Sequence, residues 1–452
     1  MPHHRLIAPV VALGLLFLAG CGGGEDAPVD SNASPVQASQ SNAAESESSA
    51  DPETGAGSDP ESTSDAAEAA AMTPRLAIAY DGGIQIRDAN TLELVSDIGL
   101  PGYLRVNPAG DGRHVLVTIE EEGFRLLDLG VWAAAHGDHQ HYYTATPVLT
   151  DVVFPAVAPG HVVPHDDRTA LFDDGTGTVT VLDAGELEEG LGAVLREHAT
   201  AAAHHGVAVE LPDGTLVVSE GTADGRTGIR VLDGAGTEIG ASDECPDLHG
   251  EAVSADEAVT FGCSDGVIVY LDGQISKAPA PEPAGATSAM AGTEGSPVAL
   301  GNYTVEGADA SDPARVALVD TATAVERTVE LPAAYGSGSL GRLEDGTGLV
   351  LGTDGKLHVI DVLDAAVTAS YPVIGPWEVP ENWQDPTPRL LVLNEMVYIL
   401  DPAASALVVV DPVTGDIWKQ TDLGVVPSEI AGVNGAGPGA HEHGDDEHED
   451  ED

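Results

Sequence analysis

Positive charge is scarce in this chain of 452 residues. Lysine and arginine together number 17, against 75 aspartates and glutamates, so the formal net charge is -58 at pH 7. Proteins that bind nucleic acids or anionic membranes through charge need clusters of basic side chains. The composition therefore argues against both classes, whereas a strongly negative field attracts divalent cations.

The N-terminal apolar run is too short to be a good membrane span. That run, Leu6 to Leu18, follows a short basic start and is typical of a secretory signal over residues 1–20. It ends in Leu-Ala-Gly-Cys21, which resembles the bacterial lipobox, where the cysteine is diacylated and becomes the mature N-terminus. We expect an extracytoplasmic protein anchored to the outer face of the cell membrane through lipidated Cys21. Cleavage nearby that leaves Cys21 free is the alternative.

Core-forming side chains are missing from both ends of the chain. Residues 22–72 are built mainly from Ser, Ala, Glu, Asp, Gly and Pro and contain no aromatic residue. Such a segment cannot bury enough apolar surface to order itself, so residues 21–74 are predicted to be a disordered acidic tether. Residues 436–452 are predicted to be a disordered acidic tail that contains histidines. Residues 75–435 remain for a large core.

Only three cysteines are present. With Cys21 assigned to the lipid, Cys245 and Cys263 remain, and two thiols in an oxidising compartment usually pair. The predicted disulfide closes a loop of about 18 residues and contributes roughly 3 kcal/mol. Metal ligation by a thiolate is the second interpretation, and a nucleophilic cysteine is the third.

Enzyme motifs are lacking as well. The sequence has no H-E-x-x-H, no P-loop and no C-x-x-C-H. Glu251, beside His249, is the least weak candidate for a catalytic base. The chain is therefore predicted not to be an enzyme.

One β pattern repeats eight times through the middle of the chain. Each copy has an alternating apolar segment, a Gly or Asp turn, and a second alternating segment that ends in aspartate. The closing residues are Asp88, Asp128, Asp183, Asp233, Asp272, Asp320, Asp361 and Asp411. Hairpins repeated at intervals of roughly 40 to 55 residues are typical of propeller blades. We expect an all-β fold, a single β-propeller of eight blades, with seven as the alternative.

The two ends of the repeat region predict how the propeller closes. The first copy begins at Arg75 with no room for an innermost strand before it, while residues 428–435 follow the last copy. A C-terminal strand that completes the first blade would remove an exposed sheet edge.

Histidines stand where three neighbouring blades should begin their innermost strands. They are His161 and His165, then His204 and His205, then His249. The other five segments, YLRVN, SAMAG, GSGSL, WEVPE and SEIAG, contain none. Innermost strands line the central channel, so these imidazoles should converge at one mouth, and neutral imidazoles suit zinc. The predicted zinc ligands are these five histidines together with Asp247.

A second set of donors is predicted to bind metal weakly and exchange it fast. In the segment HGDHQHYY these are His136, Asp138, His139 and His141, which could form a mobile capture loop. In the tail they are His441, His443 and His448. A solvated polar loop is the alternative for the first group. His114 and His358 lie within strands of the repeat and are expected to be structural.

Four stretches resemble a known family. PGHVVPHDDRTALFDDGTGTVTVLD, AHHGVAVELPDGTLVVSEG, CPDLHGEAV and FGCSDGVIVYLDG are similar to the AztD zinc metallochaperones, secreted propellers associated with AztABC zinc importers. The likeness covers most of residues 75–435 and is densest over 158–275. It implies zinc carriage and direct transfer to the solute-binding protein of an ABC importer. The family's His-rich flexible segment corresponds loosely to residues 136–141, whereas the lipid anchor and long tether depart from the family pattern. A metal-dependent propeller hydrolase and a surface scaffold without metal are the alternatives.

Overall fold

The computed structural model describes residues 65–137, 139–307 and 314–437. Several predicted features lie outside these residues: the signal, Cys21, most of the tether, Asp138, and the tail histidines His441, His443 and His448. The described part is built mainly of strands, with 3-10 turns at Ala184–Ala193 and Ala255–Glu257. No helix in that part is long and apolar enough to cross a membrane.

Short strands follow one another along the whole of the described chain. The first ten are β1 (Ala67–Ala69), β2 (Arg75–Tyr80), β3 (Gly83–Asp88), β4 (Leu94–Gly99), β5 (Arg105–Pro108), β6 (His114–Ile119), β7 (Gly123–Asp128), β8 (Val131–His136), β9 (His139–Thr144) and β10 (Val148–Pro155). The next twelve are β11 (Pro159–His165), β12 (Arg168–Asp173), β13 (Thr178–Asp183), β14 (Val194–Ala199), β15 (Ala208–Glu210), β16 (Leu216–Thr222), β17 (Gly225–Leu232), β18 (Glu238–Ser242), β19 (His249–Ser254), β20 (Ala258–Cys263), β21 (Gly266–Leu271) and β22 (Gln274–Pro279). The last are β23 (Gly285–Ala286), β24 (Met290–Ala291), β25 (Val298–Val305), β26 (Arg315–Asp320), β27 (Val325–Glu330), β28 (Tyr335–Arg342), β29 (Gly348–Gly352), β30 (Lys356–Asp361), β31 (Ala366–Pro372), β32 (Arg389–Leu393), β33 (Met396–Asp401), β34 (Ala406–Val410), β35 (Ile417–Asp422) and β36 (Pro427–Val433).

These strands form consecutive antiparallel sheets. In strand order the sheets are β36-β2-β3-β4, β5-β6-β7-β10, β11 to β14, β15 to β18, β19 to β22, β23 with β25-β26-β27, β28 to β31, and β32 to β35. In the sixth of these, β24 also pairs with β25, and a separate three-stranded sheet is β1-β9-β8. The all-β fold predicted from the repeat is thus confirmed, with four strand positions in each large sheet.

Burial along the strands follows from how the sheets pack. Every residue of β20 is buried, because a middle strand is covered on both faces by neighbouring sheets. In the outermost strand β31, burial alternates between exposed and partly buried residues, the period-2 pattern of a strand with one wet face.

A buried apolar cluster fills each interface between consecutive sheets. The last interface joins the two ends of the chain, where Leu76 and Ile78 of β2 pack with Leu400 of β33 and Leu407 of β34. The first and last sheets are therefore neighbours, as in the closed circle of a propeller. Strand β36 pairs antiparallel with β2, with Ala431 opposite Ala77, which confirms that a C-terminal strand completes the first sheet.

The innermost strand of the last sheet differs from the prediction. The segment WEVPE, residues 377–381, is not a strand, and β32 (Arg389–Leu393) takes the edge position instead. Pro376 precedes the segment and Pro380 lies within it, and proline lacks the N–H that a strand ladder needs. Trp377 instead donates its indole N–H to the carbonyl oxygen of Gly352 at 2.8 Å.

The end of the predicted tether is also more ordered than expected. Residues 65–74 belong to the described part, and Ala67–Ala69 pair antiparallel with β9, Ala69 lying opposite Tyr142. The pairing covers the edge of β9, which would otherwise present unpaired backbone groups.

The disulfide predicted between Cys245 and Cys263 is present, with Cα atoms 5.0 Å apart. Cys263 ends β20, while Cys245 lies in the segment that leads into β19, and both are fully buried. The bond thus ties the approach to His249 onto the neighbouring strand. It also rules out the thiolate-ligand and nucleophile interpretations for this pair.

Candidate metal centre

Three histidines from three neighbouring sheets converge at one point. His161 lies in β11, His205 lies just before β15, and His249 is the first residue of β19. One ring nitrogen from each lies within 4.8 Å of the others. The Nε2 atoms of His205 and His249 are 3.2 Å apart, and the three ring centroids are separated by 4.9 to 5.7 Å. Bonds of about 2.1 Å to a tetrahedral zinc ion place ligand atoms at a comparable spacing, roughly 3.4 Å.

The opposite nitrogen of each ring is held by an oxygen acceptor. Nδ1 of His161 donates to the carbonyl of Gly206 at 2.8 Å, and Nδ1 of His249 donates to that of Ser288 at 2.7 Å. Nδ1 of His205 bonds to a carboxylate oxygen of Asp174 at 2.5 Å. A neutral imidazole that donates from Nδ1 carries its lone pair on Nε2. The inward-facing nitrogens of His161 and His249 are therefore acceptors, and His205 turns its Nε2 toward that of His249, an arrangement that a shared cation stabilises.

Irregular backbone aims two of these side chains. The pairing register of β11 shifts between Pro159 and Val162, on either side of His161. That of β19 shifts between His249 and Glu251, where Gly250 has a φ of +72°. A β-bulge turns a side chain away from its regular direction, and a Cβ at Gly250 would lie 2.6 Å from the carbonyl oxygen of Ser288. Glycine is thus required where the backbone passes the acceptor that orients His249.

The surroundings of His161 and His249 favour the neutral forms of these two rings. Burial lowers the pKa of His161 to about 3, and the nearby guanidinium of Arg105 acts in the same direction. Burial is also the first cause of the lowered pKa of His249. At neutral pH these two rings are neutral, so a metal ion that binds them displaces no proton from their inward nitrogens.

His204 does not join the cluster, contrary to the prediction from sequence. Its ring is buried, with Nδ1 bonded to the carbonyl oxygen of Ala202 at 2.8 Å and Nε2 bonded to the Ser219 hydroxyl at 3.0 Å. The ring also packs against Phe172. The two neighbouring histidines therefore point to different sides of the segment before β15, His205 toward His161 and His249, and His204 toward Phe172.

Two further predicted ligands also lie elsewhere. His165, four residues after His161, bonds to a Glu257 carboxylate oxygen at 2.6 Å and belongs to a separate donor group with Asp166. Asp247 is exposed, and its backbone N–H donates to the carbonyl oxygen of Arg226 in a turn. Neither residue is among the donors grouped with His161.

The second set of histidines forms an ordered hairpin instead of a mobile loop. His136 ends β8, while His139 and His141 lie on β9 with their side chains on one face of the strand. One ring nitrogen of each lies within 4.8 Å of the others, and Nε2 of His139 is 3.1 Å from Nε2 of His141. Nδ1 of His141 contacts a carboxylate oxygen of Glu68 at 2.6 Å, just before Ala69. The hairpin therefore holds three imidazole nitrogens as close together as the cluster of His161, His205 and His249 does, but its side chains are more exposed.

A fourth cluster, around His114, is an ion-pair network. Burial opposes protonation of His114, but hydrogen bonds to Asp111 and Glu188 outweigh it and raise the pKa to about 9. Arg113 binds Asp128 at 2.6 Å and Glu188 at 2.9 Å. A protonated imidazole offers no lone pair, so the structural role expected for His114 fits this geometry. His358 is likewise buried, bonded to Ser370 at 2.8 Å and to Asp354 at 3.2 Å.

Asp174 holds His205 in place, and sequence patterns did not single it out. Its other carboxylate oxygen accepts the backbone N–H of Gly206 at 3.2 Å. We expect Asp174→Asn to weaken zinc affinity about tenfold or more, because a carboxylate behind a histidine fixes the ring and raises its basicity. Competition titration with a zinc chelator measures this, with Asp151→Asn, an exposed charge change elsewhere, as the control. Equal affinity of both variants would contradict the assignment.

The fold and this donor set define an all-β protein with a cluster of three histidines that could hold a metal ion. A curated relative, the zinc chaperone AztD of Citrobacter koseri, is 30% identical over 325 residues, which cover 69% of this chain and 74% of the relative. The chain belongs to the AztD family of zinc chaperones. No protein-family model matches it.

Solved structures agree with this assignment. A crystal structure of Citrobacter koseri AztD superposes with a TM-score of 0.70 at 27% identity, covering 81% of this chain and 99% of that one. The structure of the apo form of the same protein gives a TM-score of 0.69 at 26% identity, covering 80% and 98%. The dihydro-heme d1 dehydrogenase NirN, at 12% identity and a TM-score of 0.51 over 80% of this chain and 75% of that one, shares the fold alone.

Proposed function

We propose that this protein is an extracytoplasmic zinc chaperone, which captures Zn²⁺ and hands it to the solute-binding protein of a zinc ABC importer. The observation that carries the proposal is the set of three Nε2 atoms facing one another while each Nδ1 is bound to an oxygen. Three imidazoles leave one position of a tetrahedral zinc ion for solvent or an incoming ligand. A chaperone needs such a position, because its cargo must leave again.

The ligands differ in accessibility in a way that suits release. The His205 side chain keeps 40% of its accessible surface, whereas His161 and His249 are partly buried. An acceptor's ligand can therefore approach on the side of His205 and displace the histidines one at a time. His136, His139 and His141 supply more exposed donors for first capture.

Location and blade number complete the proposal. The signal and lipobox at residues 1–21 support export and anchoring through Cys21, and a disulfide is typical of an oxidising compartment. The circle of large sheets supports eight blades.

Zinc transfer to the partner tests this function. The zinc-loaded chain is mixed with the apo solute-binding protein in the presence of a chelator that traps free zinc. We expect the partner to receive zinc faster than zinc dissociates from the chaperone alone. Transfer no faster than dissociation would show that the two proteins do not exchange zinc directly.

One observation favours a second candidate, a metal-dependent hydrolase. Glu251, two residues from His249, lines a cavity of about 720 Å³, and burial raises its pKa to about 7, a value suited to a general base. Zinc-dependent turnover of ester or lactone substrates that Glu251→Gln abolishes would establish this activity. Unchanged turnover in that variant would exclude Glu251 as the base.

A further inference from the structure

Another donor group, formed by His165, Asp166 and Glu257, lies farther along two of the strands that carry the three-histidine cluster. His165 ends β11, Asp166 follows it in the turn to β12, and Glu257 lies in the turn between β19 and β20. One donor atom of each lies within 4.8 Å of the others. His161 and His165 are four residues apart, about 13 Å along an extended strand, so the two groups cannot share one ion.

We propose that His165, Asp166 and Glu257 form a further binding site for a divalent transition-metal ion, separate from the three-histidine cluster and from the hairpin histidines. The site goes beyond zinc delivery, and it stands whether or not the three-histidine cluster supplies a transporter. The donors are one imidazole and two carboxylates, a set that suits zinc and other borderline divalent ions better than calcium or magnesium.

The donors are held at different depths. The side chain of His165 is 7% accessible, whereas that of Glu257 is 46% accessible. The 2.6 Å between His165 Nε2 and Glu257 Oε2 is shorter than the roughly 3.4 Å between ligand atoms around a tetrahedral ion. The exposed carboxylate therefore has to move back by about an ångström to admit the ion, while the buried histidine stays fixed.

Backbone conformation places both acidic residues against His165. Asp166 and Glu257 have φ values of +47° and +61°, and Asp256, before Glu257, has a φ of +60°. Glycine adopts this left-handed region most easily. Two tight turns from different sheets thus carry carboxylate residues at positions where glycine would be less strained. Both turns place their carboxylate next to the His165 imidazole.

Glu257 pairs with the imidazole of its own donor group, whereas the carboxylates of the His114 cluster also pair with an arginine. In the His114 cluster, Arg113 binds two carboxylates. In the group of His165, Asp166 and Glu257, Glu257 forms an ion pair with His165. His165 also lines the cavity of about 720 Å³, whose other walls carry Glu294 and Glu344. Acidic walls raise the local concentration of cations.

Zinc binding to a variant that lacks the other two histidine clusters tests the site. The full-length chain with His161, His205, His249, His136, His139 and His141 all replaced by alanine is titrated with zinc at equilibrium. We expect residual binding that falls about tenfold or more in affinity when His165→Asn or Glu257→Gln is added. Glu344→Gln, which removes a carboxylate from the same cavity, should leave it unchanged, and binding to the C-terminal tail is common to all variants.

The variants also separate the proposal from a purely structural ion pair. If His165→Asn fails to fold, as judged by circular dichroism, Glu257→Gln supplies the test because its side chain is half exposed. Residual zinc binding that neither change alters would show that the pair only fastens the turn, and would overturn the site. Excess magnesium or calcium should not displace the zinc, and displacement would overturn the assignment to a transition-metal ion. Zinc binding at the cluster of His161, His205 and His249 is measured separately in the unmodified chain. A failure of the proposed chaperone function can therefore be distinguished from a failure of the site at His165.

Discussion

Replacing His205 with alanine is expected to weaken zinc binding roughly a hundredfold or more. The change removes one of three nitrogen ligands, and even residues behind a ligand typically account for about 10- to 100-fold in affinity. His161→Ala and His249→Ala should have comparable effects. Competition with a chromogenic chelator of known affinity measures the dissociation constant of each variant.

The neighbouring residue provides a matched control. His204 is buried and bonded on both nitrogens to Ala202 and Ser219, so His204→Gln should lower thermal stability while zinc affinity stays within about threefold. Cobalt substitution adds a spectroscopic check, because loss of a nitrogen ligand changes the visible absorption of the bound ion. If His204→Gln weakens binding as severely as His205→Ala, the ligand assignment at this pair is wrong.

Much of the fold could be predicted from the sequence because its signals are local. The period-2 alternation that ends at Asp88, Asp128 and the later aspartates marks the paired strands of each sheet directly. Closure by β36 followed from the missing strand before Arg75. The inner strand of the last sheet was assigned to the wrong segment, because Trp377 of that segment bonds to Gly352 of a neighbouring sheet and no local pattern reports that contact.

The candidate site was predicted at the level of segments but not of individual side chains. Which of His204 and His205 faces the channel depends on where β15 begins, and that strand starts only at Ala208. His161 and His249 owe their direction to bulges, which sequence periodicity does not show. Asp174, 31 residues before His205, becomes its partner only when adjacent sheets pack.

The hairpin histidines required tertiary information for another reason. A run of histidines with glycine, aspartate and glutamine between them has the composition of a loop, yet β8 and β9 pair from Val131 opposite Thr144 to His136 opposite His139. The aromatic pair Trp132 and Tyr143 stacks across the two strands, with ring centroids 5.5 Å apart. Cross-strand aromatic pairs stabilise a hairpin by roughly 0.2 to 1 kcal/mol, which explains why order extends to its histidine end.

Replacing His136, His139 and His141 together with alanine is expected to slow zinc loading or delivery about tenfold. Affinity at the cluster of His161, His205 and His249 should stay within about tenfold of the unmodified chain. The hairpin presents exposed imidazoles that exchange ligands quickly, whereas the strand cluster has rings fixed by oxygen acceptors and should set affinity. The measurement follows zinc from each variant to the partner solute-binding protein, with a chelator present to trap free ions.

The hairpin's own chemistry supplies the control for this experiment. Glu68→Gln removes the carboxylate that contacts His141 but leaves all three imidazoles, so it should slow delivery less than the triple change. His198→Ala, a histidine of β14 outside the donor groups, should have no effect on rate or affinity. If the triple variant instead loses affinity as severely as His205→Ala, the hairpin supplies primary ligands. Fast exchange and tight binding would then belong to one shared site. The reason is that removing the hairpin histidines would weaken zinc binding as much as removing a histidine of the strand cluster.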